Sequence, residues 1–540
     1  MTRFASHIDT RDERFVRNRE QMLERIEAFR ILERRAESAS DRSAARFVKR
    51  GQLNPRERLA HLLDPGAPFF EIGSLAGYMF DTEGDPDSIP GGSQITGIGF
   101  ISGVRVMIAI NDSGISGGAV TRGGGKKMRR CQQIARQNRL PFVMAVESAG
   151  ANLLDMRVDE FIEGGAMFAD LARLSASGIP VVTVLHGPST AGGAYLPGLS
   201  DVVIAVEGNA KAFLGGPALL KAATGEIATE DDLGGALMHA TTSGLVEHLA
   251  ADDADALRIT REVIGSLDWG LGTISSAPID FEEPLYDPDD LAGVVPLDYR
   301  QSYDVREVFA RIVDGSDFTE FKARYGPATV CARARIHGWS VGLISNNGPI
   351  DNEGATKATH FIQTCSQLGS PLIYLQNTTG YMVGVAYERR GMIKHGAKMI
   401  QAVANATVPQ ITITIGASFG AGNYGMNGRG FDPDFVLSWP NAQTGLMGPE
   451  QASLTMRTVL TGRAERRGEP VDTAAMDTLC GQIEDHFRSQ SDVFYTSGRV
   501  LDDGVIDPRD TRQALAFLLA TIAESAQLEP HPVTFGVARA

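Results

Sequence analysis

Short apolar runs closed by glycine, each followed by an Ala-rich stretch, recur along the chain. VVTVL at residues 181–185 ends in HGPSTAGGAY, and ITITI at residues 411–415 ends in GASFGAGNY. Such runs predict buried strands, the small residues predict tight corners, and the Ala-rich stretches predict helices. Residues 11–50 follow a different rule. FVRNREQMLERIEAFRILERR spaces apolar positions three and four apart among Arg and Glu, which predicts an amphipathic helical arm with one packed face. SSAPIDFEEPLYDPDDLAGVVP, residues 275–296, concentrates proline and acid and predicts a linker between halves.

The two corners align without a gap at an offset of 229: Pro180 with Pro409, Gly187 with Gly416, Ser189 with Ser418, Gly193 with Gly422 and Tyr195 with Tyr424. Upstream, LPFVMAVESAG at 140–150 pairs with SPLIYLQNTTG at 370–380. GVRVMIAIND at 103 pairs with GWSVGLISNN at 338, and RERLAHLLD at 56 with REVFARIVD at 306. One half reads as a diverged copy of the other, in the order strand, helix, strand, glycine corner, helix. The fold class expected is therefore α/β, with domains at 1–280 and 290–540 and a helical arm in front.

A strand that feeds a helix through small residues leaves backbone N–H groups without partners at the corner. Glycine and alanine let a ligand oxygen approach those amides. Two such donors facing a carbonyl make an oxyanion hole, where one donor is worth roughly 3 kcal/mol. The candidate donors are Gly192 and Gly193 in the first copy and Ala421 and Gly422 in the second. Tyr195 and Tyr424 read as packing residues beside them.

Two competing motifs need weighing. GASFG at 416–420 fits G-x-S-x-G after a strand, so Ser418 could be a hydrolase nucleophile, with Asp432 or Asp434 and His486 or His531 completing a triad. A hydrolase gives no reason for two corners. The basic cluster TRGGGKKMRR at 121–130 is not a P-loop, because Lys126 is followed by Lys127 where Ser or Thr is required. Glycine amides beside Lys126, Lys127 and Arg129 still suit a phosphate.

Composition narrows the class. The 540 residues are 43% hydrophobic, more than one core accommodates. A net charge of -15 with interspersed signs argues against a nucleic-acid surface. Four scattered cysteines, Cys131, Cys331, Cys365 and Cys480, suggest neither a metal site nor a disulfide framework. No apolar stretch reaches bilayer length, and the expectation is a soluble cytoplasmic protein without membrane partners.

The chain resembles the carboxyltransferase β subunits of biotin-dependent acyl-CoA carboxylases, with halves similar to crotonase units (the ClpP/crotonase ββα superhelix). KRGQLNPRERLAHLLDPGAPFFEIG, SASGIPVVTVLHGPSTAGGAYLPGLSD, FLGGPALLKAATGE, NNGPIDNEGATKATHFIQ and GASFGAGNYGMNGRGFDPDFVLSWPNAQ occur in family order. The AGGAY and GASFGAGNYGM forms are most similar to the 3-methylcrotonyl-CoA and geranyl-CoA branch, with the propionyl-CoA or acetyl-CoA type as the alternative. The resemblance implies a ligase forming C–C bonds, whose N-terminal domain holds an acyl-CoA while the C-terminal domain of another subunit holds carboxybiotin. Gly192 and Gly193 would then stabilise the thioester enolate, and Ala421 and Gly422 the ureido oxyanion. In that scheme carboxybiotin releases carbon dioxide and the biotin anion takes the substrate proton. Lys126 and Lys127 would meet CoA phosphates, and Leu196 and Gly198 would shape the acyl pocket. The resemblance further implies a homo-oligomer, expected as a hexamer, and a separate α subunit carrying biotin carboxylase and the biotinylated carrier, since no AMKM-like sequence is present. Asn427 stands where the family has Cys, and MGP at 447–449 replaces MGG.

Overall fold

The computed structural model describes residues 3–151, 157–270, 280–468, 470 and 472–532. It divides into two units, and neither is a continuous stretch. The N-terminal unit comprises residues 30–276, 498–504 and 520–540; the C-terminal unit comprises residues 1–29, 277–497 and 505–519.

Each unit is built on one mixed sheet, and the two sheets share one topology. In the N-terminal unit, Gln94–Ile101 and Val104–Asn111 form an antiparallel hairpin. Phe142–Ser148, Val181–Thr190 and Val202–Val206 then add in parallel. In the C-terminal unit the hairpin is Thr329–Ile336 with Trp339–Asn346, extended in parallel by Leu372–Thr378, Gln410–Phe419 and Phe435–Ser438. Parallel strands covered on both faces are buried at nearly every position, so in ITITI the threonines are buried along with the isoleucines.

The likeness extends to turn chemistry. Both hairpins turn on two residues of positive φ, Ser102 (+51°) with Gly103 (+79°) and His337 (+45°) with Gly338 (+78°). Positive φ at both central residues matches the right-handed twist of the flanking strands. Asp64 accepts from both amides of the first turn at 2.8 and 2.7 Å. Asp314 does the same for the second at 2.9 and 2.7 Å. These aspartates end the two segments, RERLAHLLD and REVFARIVD, already paired by sequence.

The core of the N-terminal unit joins Val143, Ala145, Val182, Val184 and Ile204 to Leu59, Leu62, Leu257 and Ile264 of flanking helices. Helix Pro55–Leu62 starts cleanly: Asn54 and Glu57 form a capping box ahead of proline. In the C-terminal unit, Ile344, Leu372 and Tyr374 pack on Phe361, Ile362, Met399 and Val403.

Two expectations from the chain pattern change. The arm is helical over Glu13–Asp41, but its Met22 and Ile26 pack with Ala292 and Leu297 of the C-terminal unit. The supposed linker is accordingly not loose beyond residue 287, because Leu291, Ala292 and Val294 are buried and Ala292 packs on that helix; residues 275–279 lie outside the described residues. At the other end, Asp503 and Glu524 belong to the N-terminal unit, where they bind Arg130 at 2.6 Å and Arg105 at 2.7 Å. Chain ends are exchanged between the halves, which no local pattern encodes. None of the described helices is long and apolar enough to cross a membrane.

Candidate functional site

The two glycine corners follow the same plan, a strand that turns directly into a short helical segment. Val181–Thr190 runs into a short turn of helix at Ala191–Ala194, and Gln410–Phe419 runs into Ala421–Gly425. Each strand breaks register with its neighbour at the same place, leaving Ser148 opposite Ser189 and Thr378 opposite Ser418. The residue at each bend has positive φ, +53° at Ala191 and +56° at Gly420.

Glycine is required where another group already fills the space of a side chain. A Cβ on Gly187 would lie 2.7 Å from Cγ of Glu147, and one on Gly416 would lie 2.5 Å from Oδ1 of Asn377. A Cβ on Gly422 would meet Cα of Gly380 at 2.9 Å. Gly193 and Gly422 are buried, whereas Gly192 and Ala421 beside them are exposed. The amides of all four have no hydrogen-bond partner among the described residues. Each corner therefore offers two adjacent N–H donors to an incoming oxygen. Tyr195 and Tyr424 do not pack fully: they pair with Phe168 and Phe431 but remain 51% and 52% exposed.

Behind the first corner lies a charged cluster that the motif reading missed. Arg58, fully buried, binds Glu147 at 3.1 Å and Asp253 at 3.0 Å. Asp253 also contacts Nδ1 of His186 at 2.9 Å. Burial and then Arg58 push the imidazole pKa down. The signal was present, since Glu147 and His186 each interrupt an otherwise apolar strand run immediately before the corner. At the equivalent places the second corner has Val308, Asn377 and Ile415, and it carries no charge there.

The basic cluster separates into two roles. Lys127 is fully buried, and its ammonium donates to the carbonyls of Gly91 at 3.2 Å and Gln94 at 2.7 Å. Lys357, at the same place in the second copy, is also fully buried and lies 3.8 Å from Glu320. Lys127 is thus an internal strut rather than a phosphate ligand, and the expectation for it is corrected. Arg129 pairs with Asp170. Lys126 is exposed, and its ammonium shares the ring of Phe80 with the guanidiniums of Arg122 and Arg499 at 4.8, 4.3 and 5.2 Å. Partial burial and Arg122 lower its pKa. Leu196 is buried in the short helix after the first corner; Gly198 is exposed, and a Cβ there would meet nothing within 4 Å.

Ser418 is not placed as a nucleophile. Its hydroxyl is buried and held 2.5 Å from Oε1 of Gln376 and 2.9 Å from Nδ2 of Asn423. Asp434 accepts from the amide of Gln410, His486 contacts Gln490, and His531 belongs to the other unit. The structure assembles no triad around it.

A carboxyl transferase domain model matches residues 46–533. The chain belongs to the carboxyl transferase family. It is 48% identical, over 88% of its length and 89% of the relative's, to a probable biotin-dependent acyl-coenzyme A carboxylase beta2 subunit of Mycobacterium tuberculosis. It is 44% identical to the mitochondrial methylcrotonoyl-CoA carboxylase beta chain of Dictyostelium discoideum, over 91% of this chain and 83% of that one. The geranyl-CoA carboxylase beta subunit of P. aeruginosa superposes with a TM-score of 0.92 at 48% identity, covering all of both chains. This carboxyl transferase is accordingly an enzyme of the acyl-CoA carboxylase β-subunit kind. Asn427 has φ +59°, a left-handed backbone that Asn tolerates better than most side chains. Its buried side-chain amide has no hydrogen-bond partner among the described residues.

Proposed function

We propose that this chain transfers the carboxyl group of carboxybiotin to a branched α,β-unsaturated acyl-CoA, of the 3-methylcrotonyl or geranyl type. The observation that carries the reading is the duplicated corner, two pairs of adjacent amides without partners among the described residues, one residue of each pair exposed and the other buried, on one chain of this family. A transfer between two carbonyl compounds needs one hole for each developing oxyanion, and the two corners supply them.

Gly192 and Gly193 receive the thioester oxygen as it gains enolate charge, and Ala421 and Gly422 receive the ureido oxygen of biotin. The fit at the second corner rests on small residues: Gly422 has no space for a side chain, and Ala421 leaves the amides open. Bound carboxybiotin supplies the carboxyl group and the base. This chain orients the reactants and needs no ionisable side chain at either hole, which fits the neutral set of Ser418, Gln376, Asn423 and Thr378 around the second. Lys126, with Arg122 and Arg499 beside it, takes the CoA phosphates. Leu196 and Gly198 border the acyl group, and open space at Gly198 leaves room for a long chain.

Biotin arrives on a separate α subunit, and the holes of two copies of this chain meet in a cytoplasmic homo-oligomer, as a hexamer. The test is the reverse half reaction of the purified chain with free biotin and a panel of methylglutaconyl-CoA, carboxygeranyl-CoA, methylmalonyl-CoA and malonyl-CoA. Biotin-dependent loss of the carboxyl group with the thioester intact is expected, and the preferred panel member names the substrate. Biotin-independent release of free CoA overturns the reading.

A further inference from the structure

We infer that Asn423, Ser418 and Gln376 form a one-directional hydrogen-bond chain that positions the amides of Ala421 and Gly422 for biotin. The inference rests on the assignment of the second corner to biotin.

The direction follows from what each group can donate. Gln376 lies 2.7 Å from the carbonyl of Met426, which only accepts, so the NH2 of Gln376 faces Met426. Its Oε1 therefore faces Ser418 at 2.5 Å and must receive the hydroxyl proton. A lone pair of the Ser418 oxygen accepts from Nδ2 of Asn423 at 2.9 Å. Every donor in the chain is used in one sense, and Oε1 of Gln376 also takes Thr414 at 3.4 Å.

The chain ties the five-residue helix Ala421–Gly425 to the strand end at two points, the side chain of Asn423 and the carbonyl of Met426. With both points held, the amides at the start of that helix keep one orientation. The tie is not a requirement of the fold. In the first corner a corresponding strand-to-helix bend forms with Val146 in place of Gln376 and Ala194 in place of Asn423. There the buried hydroxyl of Ser189, the counterpart of Ser418, has no hydrogen-bond partner among the described residues. An element that the scaffold dispenses with in one copy, and completes in the other, serves the site that the second copy builds. The serine of the elbow-like GASFG sequence is thus a positioning residue, and with its proton committed to Gln376 it has no nucleophilic role.

The experiment uses the full chain with free biotin and the preferred carboxylated acyl-CoA. Asn423→Ala and Gln376→Val install the residues that the first corner already tolerates. Each is expected to lower kcat/KM for biotin about tenfold or more, with the dissociation constant of the acyl-CoA, by calorimetry, unchanged within about twofold. Ser418→Ala combined with Asn423→Ala should be no worse than the more damaging single change, because the groups act as a unit. Unchanged biotin kinetics in both variants, with an active wild type, overturns the inference alone. A loss that falls on acyl-CoA binding, or that only follows a collapsed thermal midpoint, also overturns it. A wild type without any biotin-dependent reaction removes the assignment of the corner itself.

Discussion

Ala191 and Gly420 occupy the same bend in the two halves, and both have positive φ, +53° and +56°. Gly420 has ψ of −149°, a region essentially reserved for glycine, and a Cβ there would lie 3.2 Å from the carbonyl of Leu446. Gly420→Ala should therefore cost about 1–3 kcal/mol and depress biotin-dependent turnover. Ala191→Gly trades relief of strain against a freer unfolded chain and should stay within about 1 kcal/mol of the parent. Urea unfolding of both variants checks the asymmetry; equal effects would contradict it.

Arg58 holds two buried carboxylates directly behind the first corner. Arg58→Met removes the buried cation shared by Glu147 and Asp253, leaving Glu147 only the longer contact to Arg50 at 3.5 Å, and a loss of about 3–5 kcal/mol in unfolding free energy is expected. The equivalent cluster is absent from the second half, so Val308→Ala should behave as an ordinary core truncation, with no salt or pH signature. Denaturation at two ionic strengths distinguishes the two.

His186 makes stability fall on mild acidification. Burial, and then Arg58, lowers its pKa in the folded protein, while the unfolded chain takes up a proton near the ordinary value of about 6.5. Below that value the unfolded state binds more protons, so the contribution is complete above about pH 6.5 and declines toward the lowered folded pKa. His186→Asn, which keeps a donor toward Asp253, should flatten the change in urea midpoint between about pH 7.5 and 5.5. An unchanged slope would show that the imidazole does not report on folding.

Adjacent lysines should fail in different ways. Lys127→Met strands the carbonyls of Gly91 and Gln94 and should cost about 1–3 kcal/mol of stability for each acceptor left unpaired. Lys126→Glu should leave stability within about 0.5 kcal/mol and raise KM for the acyl-CoA. Thermal unfolding and steady-state kinetics of the pair decide this, and an unchanged KM for Lys126→Glu removes Lys126 from phosphate binding.

Much of this protein could be read from its chain because the information is local. Apolar runs closed by glycine mark the strand ends, Asn54 and Pro55 mark a helix start, and the common offset exposes two corners whose chemistry lies in backbone amides and needs no distant partner. Family membership follows from the same ordered blocks. Tertiary structure decided whatever depends on which side of an element meets another. Lys126 and Lys127 are neighbours in sequence, yet a rotation of about 100° around the helix puts one in solvent and the other against the carbonyls of Gly91 and Gln94. Ser418 fits a nucleophile motif until Gln376 and Asn423 arrive from a neighbouring strand and helix to engage its proton and one of its lone pairs. Arg58, Glu147, His186 and Asp253 are spread over nearly two hundred residues and become one cluster only when strands pair and a helix caps them. Burial and pairing of polar groups are properties of the space between elements, and that space exists only once the chain has folded.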